Sequence, residues 1–250
     1  MIKINNLNKS FNGANVLKDI SVTFESGKTN LIIGRSGSGK TVLLKSIVGL
    51  HNIDSGEIWY ENSLFNKMAF SEKKEIRKEM GMLFQGSALF DSLTVKQNVR
   101  FPLDMFTDKS TEEKNERVRF CLERVDILNS DNLFPAELSG GMKKRVAIAR
   151  AIALNPKYLF VDEPNSGLDP LTAILIDALI KQLTEEYSMT TIVNTHDMNS
   201  VMEIGEKIIF IHEGNKCWEG DKNDILTSDC DILNDFVFAN SLAKKLRDEP

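Results

Sequence analysis

The run GRSGSGKT, from Gly34 to Thr41, has the spacing G-x-x-x-x-G-K-T. The strand-like stretch NLIIG leads into it, and the apolar helical stretch TVLLKSIVGL leads out. Strand, glycine loop and helix in that order make a phosphate cradle. Gly34, Gly37 and Gly39 let backbone N–H groups curl around a polyanion without Cβ clashes, with Arg35, Ser36 and Ser38 between them. The helix N-terminus adds partial positive charge, worth about 1 kcal/mol where exposed. Lys40 offers a mobile cation to the β- and γ-phosphates, and Thr41 offers a hydroxyl to Mg²⁺. These residues predict a nucleoside triphosphate site.

A second group of chemistry-bearing residues lies more than a hundred positions on. YLFVDEP is a four-residue apolar strand ending in two carboxylates. Asp162 at the strand end is expected to hold Mg²⁺ through water. Glu163, on the opposite side of the pleat, is expected to polarise an attacking water. Together with the glycine loop, the pair implies metal-assisted hydrolysis. His196, following the strand TTIVNT, is placed to donate a hydrogen bond to a γ-phosphate; His51 and His212 have no such context.

The elements that must position these residues are legible from the apolar patterning. MIKINNLNKSF, VLKDISVTFESG and TNLIIG read as strands, punctuated by Asn-Gly at 12–13 and Ser-Gly at 26–27. SGEIWYENSLF reads as a short hairpin and GMLFQ as a buried strand. TEEKNERVRFCLERVDI puts Val118, Cys121, Leu122 and Val125 on one helical stripe, with Ser110 or Thr111 as N-cap. SGGMKKRVAIARAIALNP and LTAILIDALIKQLTEEY are further helices, and YLFVDE, TTIVNTH and IIFIH are buried strands. Strands alternating with helices predict an α/β fold with a parallel sheet covered on both faces.

Bulk properties narrow the function. The chain has 250 residues, 42% hydrophobic and 27% charged, an ordinary globular balance. A net charge of −5 argues against a nucleic-acid partner held by a broad basic field. Cys121, Cys217 and Cys230 lack ligand spacing and read as free thiols in a reducing compartment. The N-terminus reads as a strand, not a signal peptide, and no apolar run approaches the roughly 20 residues of a membrane span. A soluble chain is expected, to which another subunit would supply any membrane span.

With GRSGSGKT, Gln85, LSGGM, YLFVDEP, SGLD and NTHD in this order, the chain resembles the nucleotide-binding subunit of ABC transporters over nearly its whole length. LSGG, from Leu138 to Gly141, is the motif most specific to that family. The resemblance implies a P-loop NTPase core with a mixed, largely parallel sheet, an N-terminal antiparallel β subdomain and an inserted helical subdomain. The implied boundaries within one domain, 1–250, are a catalytic core at 1–85 and 156–220, the helical subdomain at 86–155 and a helical tail at 221–250.

The same resemblance implies roles for matching positions. Phe11 would stack on adenine. Gln85 would be the lid glutamine that touches the metal or the attacking water. Ser139, Gly140 and Gly141 would face the γ-phosphate of a second subunit, Asp169 would lie at the dimer seam, and His196 would be the switch histidine. SGG opening a helix is also a second anion site on physical grounds. Two copies related by a two-fold axis would therefore sandwich two ATP molecules, each between one copy's Lys40 loop and the other's Ser139. Met142 departs from the glutamine usual after LSGG, which the backbone anion argument does not require.

The machine being driven is read from elsewhere. FQGSALFDSLTVKQNVRFPL, ELSGGMKKRVAIARAIALNP and DEPNSGLDP resemble the ATPase of bacterial phospholipid transporters of the Mla type, which work with MCE-domain proteins and a multi-span permease. Asn165 departs from the usual threonine. This reading implies a homodimer peripheral to the cytoplasmic side of the bacterial inner membrane. Alternatives are the ATPase of another importer, for amino acids or another small solute, and a soluble ABC ATPase without a transport role. Beyond Gln85 the chain is expected to leave the catalytic core, with Ala88, Leu89, Phe90 and Leu93 lining a groove for a permease helix or else packing the subdomain. In the tail, Phe238, Leu242 and Leu246 recur at helical spacing among basic residues, suiting a helix packed on its own domain or a hook onto a neighbour.

Overall fold

The N-terminal hairpin pairs β1 (Ile2–Phe11) with β2 (Ala14–Phe24), turning at Asn12 and Gly13, whose φ angles are 48° and 82°. Positive φ at both central residues is what a tight hairpin turn of the strands' own twist needs. Burial along β1 changes phase between Ile4 and Leu7, because Asn6 is left-handed (φ 48°) and the register shifts there. Asp19 (φ 51°) makes the matching break in β2, and the two are joined by an Asn6 Nδ2 to Asp19 Oδ1 hydrogen bond of 2.7 Å.

The computed structural model describes residues 1–238, so Leu242 and Leu246 of the tail lie outside the described residues. The chain forms two compact units. One comprises residues 1–25, 29–67 and the segment from 194 onward; the other comprises 26–28 and 68–193.

In the first unit, β3 (Thr29–Ile33) is buried at every position and leads to α1 (Lys40–Ile47). β4 (Ser55–Tyr60) and β5 (Ser63–Leu64) form the expected hairpin, giving an antiparallel sheet ordered β2-β1-β4-β5.

The second unit begins with α2 (Phe70–Lys78) and β6 (Met80–Leu83). β6 ends at Leu83, so Phe84 and Gln85 of the expected strand GMLFQ lie just past it. α3 (Val95–Phe106), α4 (Thr111–Arg124) and α5 (Gly140–Ile152) pack against one another. Val118, Cys121, Leu122 and Val125 are buried, and Ser110 caps α4 in a capping box with Glu113. β7 (Tyr158–Asp162) runs parallel to β6 and is buried throughout. α6 (Pro170–Glu186) follows, capped by Asp169. Gly81 on β6 is tight against α5: a Cβ there would come within 2.4 Å of the Ala151 carbonyl oxygen.

β8 (Thr190–Thr195) is shared by the two units in sequence. The chain returns to the first unit with α7 (Met198–Ile204), β9 (Lys207–His212), β10 (Asn215–Gly220) and α8 (Asp231–Val237). β9 is parallel to β3 and antiparallel to β10. Buried parallel strands and covering helices make this an α/β P-loop NTPase fold.

Candidate functional site

The glycine loop lies in the first unit, and its shape is set by close approach. Gly34 has φ 150°, and a Cβ on it would meet the Ile211 carbonyl oxygen at 2.2 Å and Ser38 Oγ at 2.8 Å. Gly39 (φ 110°) is the N-cap of α1, where a Cβ would meet Leu17 and the Val16 carbonyl at 3.0 Å. The N-cap residue itself is glycine and offers no side chain to α1, and a helix start is a ready anion site. Lys40 Nζ folds back to donate to the Gly34 and Arg35 carbonyls at 2.9 and 3.1 Å. Ser38 is buried, and its Oγ has no hydrogen-bond partner among the described residues. A curled glycine backbone, a helix start, an ammonium and an orphaned hydroxyl suit a polyphosphate.

Two more predicted residues lie in this unit. Phe11 is 38% exposed, with Lys9 Nζ 5.0 Å from its ring centroid and the His51 ring edge-on at 5.2 Å. His51 had no assignment from sequence, since only the fold brings it to Phe11; burial, with Lys45 and Lys9 nearby, lowers its pKa. His196 is exposed one residue beyond β8.

The remaining predicted residues lie in the second unit. Asp162 ends β7 and is buried. Glu163 lies past the strand with φ 49°, a left-handed conformation rare outside glycine and asparagine. Its side-chain direction is therefore set by that turn, which corrects the pleat argument made from sequence. Ser139 is the N-cap of α5, accepting from Met142 N–H at 3.2 Å, and Gly140 and Gly141 open the helix. A Cβ on Gly141 would press Thr172 Cγ2 at 2.8 Å. Asp169 accepts from Thr172 N–H (3.0 Å) and Oγ1 (2.6 Å), bonds that lower its carboxyl pKa. Gln85 and Asp162 here, like Thr41 in the first unit, each carry an oxygen donor of the hard kind that Mg²⁺ takes.

The structure gathers Gln85 and Glu163 around a residue that sequence reasoning passed over. Lys144, on α5, is 4% exposed, with Nζ 3.4 Å from the carbonyl oxygens of both residues. Desolvation lowers its pKa, and the negative charges of Asp162 and Glu163 oppose that shift. In sequence it sits in the basic run MKKR, where nothing local sets it apart from its neighbours.

Beyond Gln85 the loop is irregular and gripped from α5. Ser87 (φ 64°) and Ala88 (φ 47°) are both left-handed, and Arg150 donates to their carbonyls at 2.9 and 2.8 Å. Phe90 is 42% exposed and Ala88 is exposed, whereas Leu89 and Leu93 are half-buried.

Comparison with known proteins agrees with this geometry. The ABC transporter family profile matches residues 17–166. The chain is 38% identical over 242 residues to the methionine import ATP-binding protein MetN of Clostridioides difficile, covering 97% of this chain and 75% of that protein. It is 33% identical to the "Probable ribonucleotide transport ATP-binding protein mkl" of Mycobacterium tuberculosis, covering 94% of this chain and 66% of that one. It thus spans about two thirds to three quarters of these relatives' lengths. Among solved structures, the ATP-binding cassette MJ0796, a post-hydrolysis dimer bound to ADP and Pi, aligns with TM-score 0.82 at 34% identity, covering 89% of this chain and 99% of that one. cbiO1 of Clostridium perfringens, part of the cbiONQ transporter complex, aligns with TM-score 0.85 at 27% identity over 98% of both chains. The chain belongs to the ABC transporter family and is an ATP-binding cassette ATPase.

Proposed function

We propose that this chain is the ATP-hydrolysing subunit of a transporter whose membrane-spanning part is a separate permease, and that it works as a homodimer. The observation that carries the reading is the loop from Gly34 to Thr41, curled by close backbone packing, with Lys40 folded back onto its carbonyls at the start of α1. The loop N–H groups and Lys40 bind the triphosphate, and Phe11 packs against the base. Thr41, Gln85 and Asp162 would hold Mg²⁺, which supplies charge neutralisation on the phosphates. Glu163 polarises the attacking water, and His196 donates to the γ-phosphate.

Dimerisation follows from the second anion site. Ser139 to Gly141 at the start of α5 would meet the γ-phosphate held by the other copy's loop. The dimeric state of MJ0796 supports this reading. Among the described residues, no helix is long and apolar enough to cross a membrane, in keeping with peripheral attachment to a permease at the cytoplasmic face of the bacterial inner membrane. Exposed Phe90 and Ala88 on the Arg150-gripped loop would receive a short permease helix.

For the cargo, the segment 84–103 and Met142 favour phospholipid, moved with an MCE-type partner. A second reading, import of an amino acid or similar solute, is favoured by MetN and by the glutamine transport ATPase GlnQ of Geobacillus stearothermophilus, 39% identical over 215 residues. Glu163→Gln tests the enzyme: it should bind ATP, fail to hydrolyse it and accumulate dimers, and wild-type turnover in that variant would remove Glu163 as base. Pull-down from detergent-solubilised membranes tests the permease, and ATPase rates with and without phospholipid separate the cargo readings.

A further inference from the structure

Lys144 is the buried cation that the hydrolytic scheme above leaves without a role. A lysine 4% exposed is costly unless its charge is compensated. Here the compensation comes from two backbone carbonyls, both in the loops that carry the candidate chemistry: Gln85 O and Glu163 O, each 3.4 Å from Nζ. The carboxylates of Asp162 and Glu163 add a favourable field. The carbonyl of Glu163 also accepts from Ser166 N–H (3.3 Å), and that of Phe84 accepts from Ser87 N–H (2.8 Å), so each held loop is closed by its own turn. Further along the same helix, Arg150 takes the carbonyls of Ser87 and Ala88. α5 is therefore bonded to the loop after Gln85 at two points and to the Glu163 turn at one.

We propose that Lys144 is a positioning residue for hydrolysis: its ammonium ties α5, which is capped by Ser139, to the backbone of both Gln85 and Glu163, so that a shift of the helix moves the lid glutamine and the base together. The inference rests on the ATPase reading above, with Glu163 as base. In a dimer it has a directional consequence. The γ-phosphate of one site contacts Ser139 of the other copy, and Lys144 of that copy relays the contact to its own Glu163. Each site thereby reports its occupancy to the base of the other.

The test uses the full chain as wild type, Lys144→Met, Lys144→Arg and the control Lys143→Met, whose target is half-exposed on the same helix. Amide hydrogen exchange without nucleotide reads the tie itself. In Lys144→Met the turn amides of Ser87 and Ser166 should exchange roughly tenfold faster, with the control unchanged. ATPase kinetics should show kcat lowered roughly tenfold to a hundredfold with KM within about twofold, because the base is displaced while phosphate binding is retained. Lys144→Arg should recover most of both, and the dependence of rate on ATP should lose its cooperativity in the Met variant alone.

Unchanged exchange at Ser87 and Ser166, or a loss confined to KM, overturns the proposal. If the Met variant does not fold, Lys144→Gln, which keeps a donor without charge, must show the same effects in smaller degree, and wild-type exchange and kcat there overturn it equally. A wild-type chain that does not hydrolyse ATP, alongside faster exchange in Lys144→Met, would sink the assignment of Glu163 and leave the tie standing.

Discussion

Asn98 holds Phe90 by both backbone groups: its Nδ2 donates to the Phe90 carbonyl at 3.1 Å, and its Oδ1 accepts from Phe90 N–H at 2.8 Å. The same amide donates to the carbonyls of Leu93 and Thr94 at 3.0 and 3.1 Å. It is fully buried, so it replaces water for a loop that has no ladder of its own. Asn98→Ala should therefore cost about 2–4 kcal/mol, the scale of several backbone groups losing a buried partner at once. Urea denaturation measures this, and a loss below 1 kcal/mol would mean that the loop re-forms without the amide.

What Asn98 fixes is an exposed aromatic. The Phe90 ring lies 4.7 Å from that of Phe101, and the Arg150 guanidinium is 5.7 Å from its centroid. Phe90→Asp should leave stability nearly unchanged, within about 1 kcal/mol, because the ring is 42% exposed. Basal ATPase activity should persist while co-purification of a permease and stimulation by it are lost. Equal loss of folding stability and of activity would return Phe90 to a packing role.

Much of this was legible in the sequence. The loop from Gly34 to Thr41 and the α4 cap at Ser110 are local patterns, and local patterns survive folding. α3 carried the same cap signature, Thr94 with Gln97, and apolar residues at Val95, Val99 and Leu103, yet Pro102 and the preceding Asp91-Ser92 masked it. The direction of Glu163 was not legible, because a left-handed φ just past a strand has no composition signal. Nor was the burial of Lys144, whose partners lie 59 and 19 residues away. A charge run reads as solvated until the chain folds back over it.

The glycine loop makes an ordered prediction. At Gly34 a Cβ would lie 2.2 Å from a backbone oxygen of β9, a clash that no rotamer relieves. At Gly37 the φ of 79° is equally left-handed, but nothing lies within 4 Å of the added atom. Gly37→Ala should then cost about 1–2 kcal/mol, the backbone penalty alone, and Gly34→Ala should cost more than about 3 kcal/mol or abolish folding. Denaturant titration gives the order. The reverse order would mean that the loop is not held against Ile211 in solution.

Asn165 makes a bond that a threonine in its place would be too short to copy. Its Nδ2 donates to Oδ2 of Asp177 at 2.8 Å, joining the turn after Glu163 to the buried face of α6. Asp177 is 3% exposed, and a buried carboxylate depends on each donor it receives. Asn165→Ala and Asp177→Ala should each destabilise the chain by about 1–3 kcal/mol, and the double variant by less than their sum, with a coupling of about 1 kcal/mol or more. Asn165→Thr should behave like the alanine variant in this cycle, since its hydroxyl stops short of the carboxylate. Strict additivity would dissolve the pair.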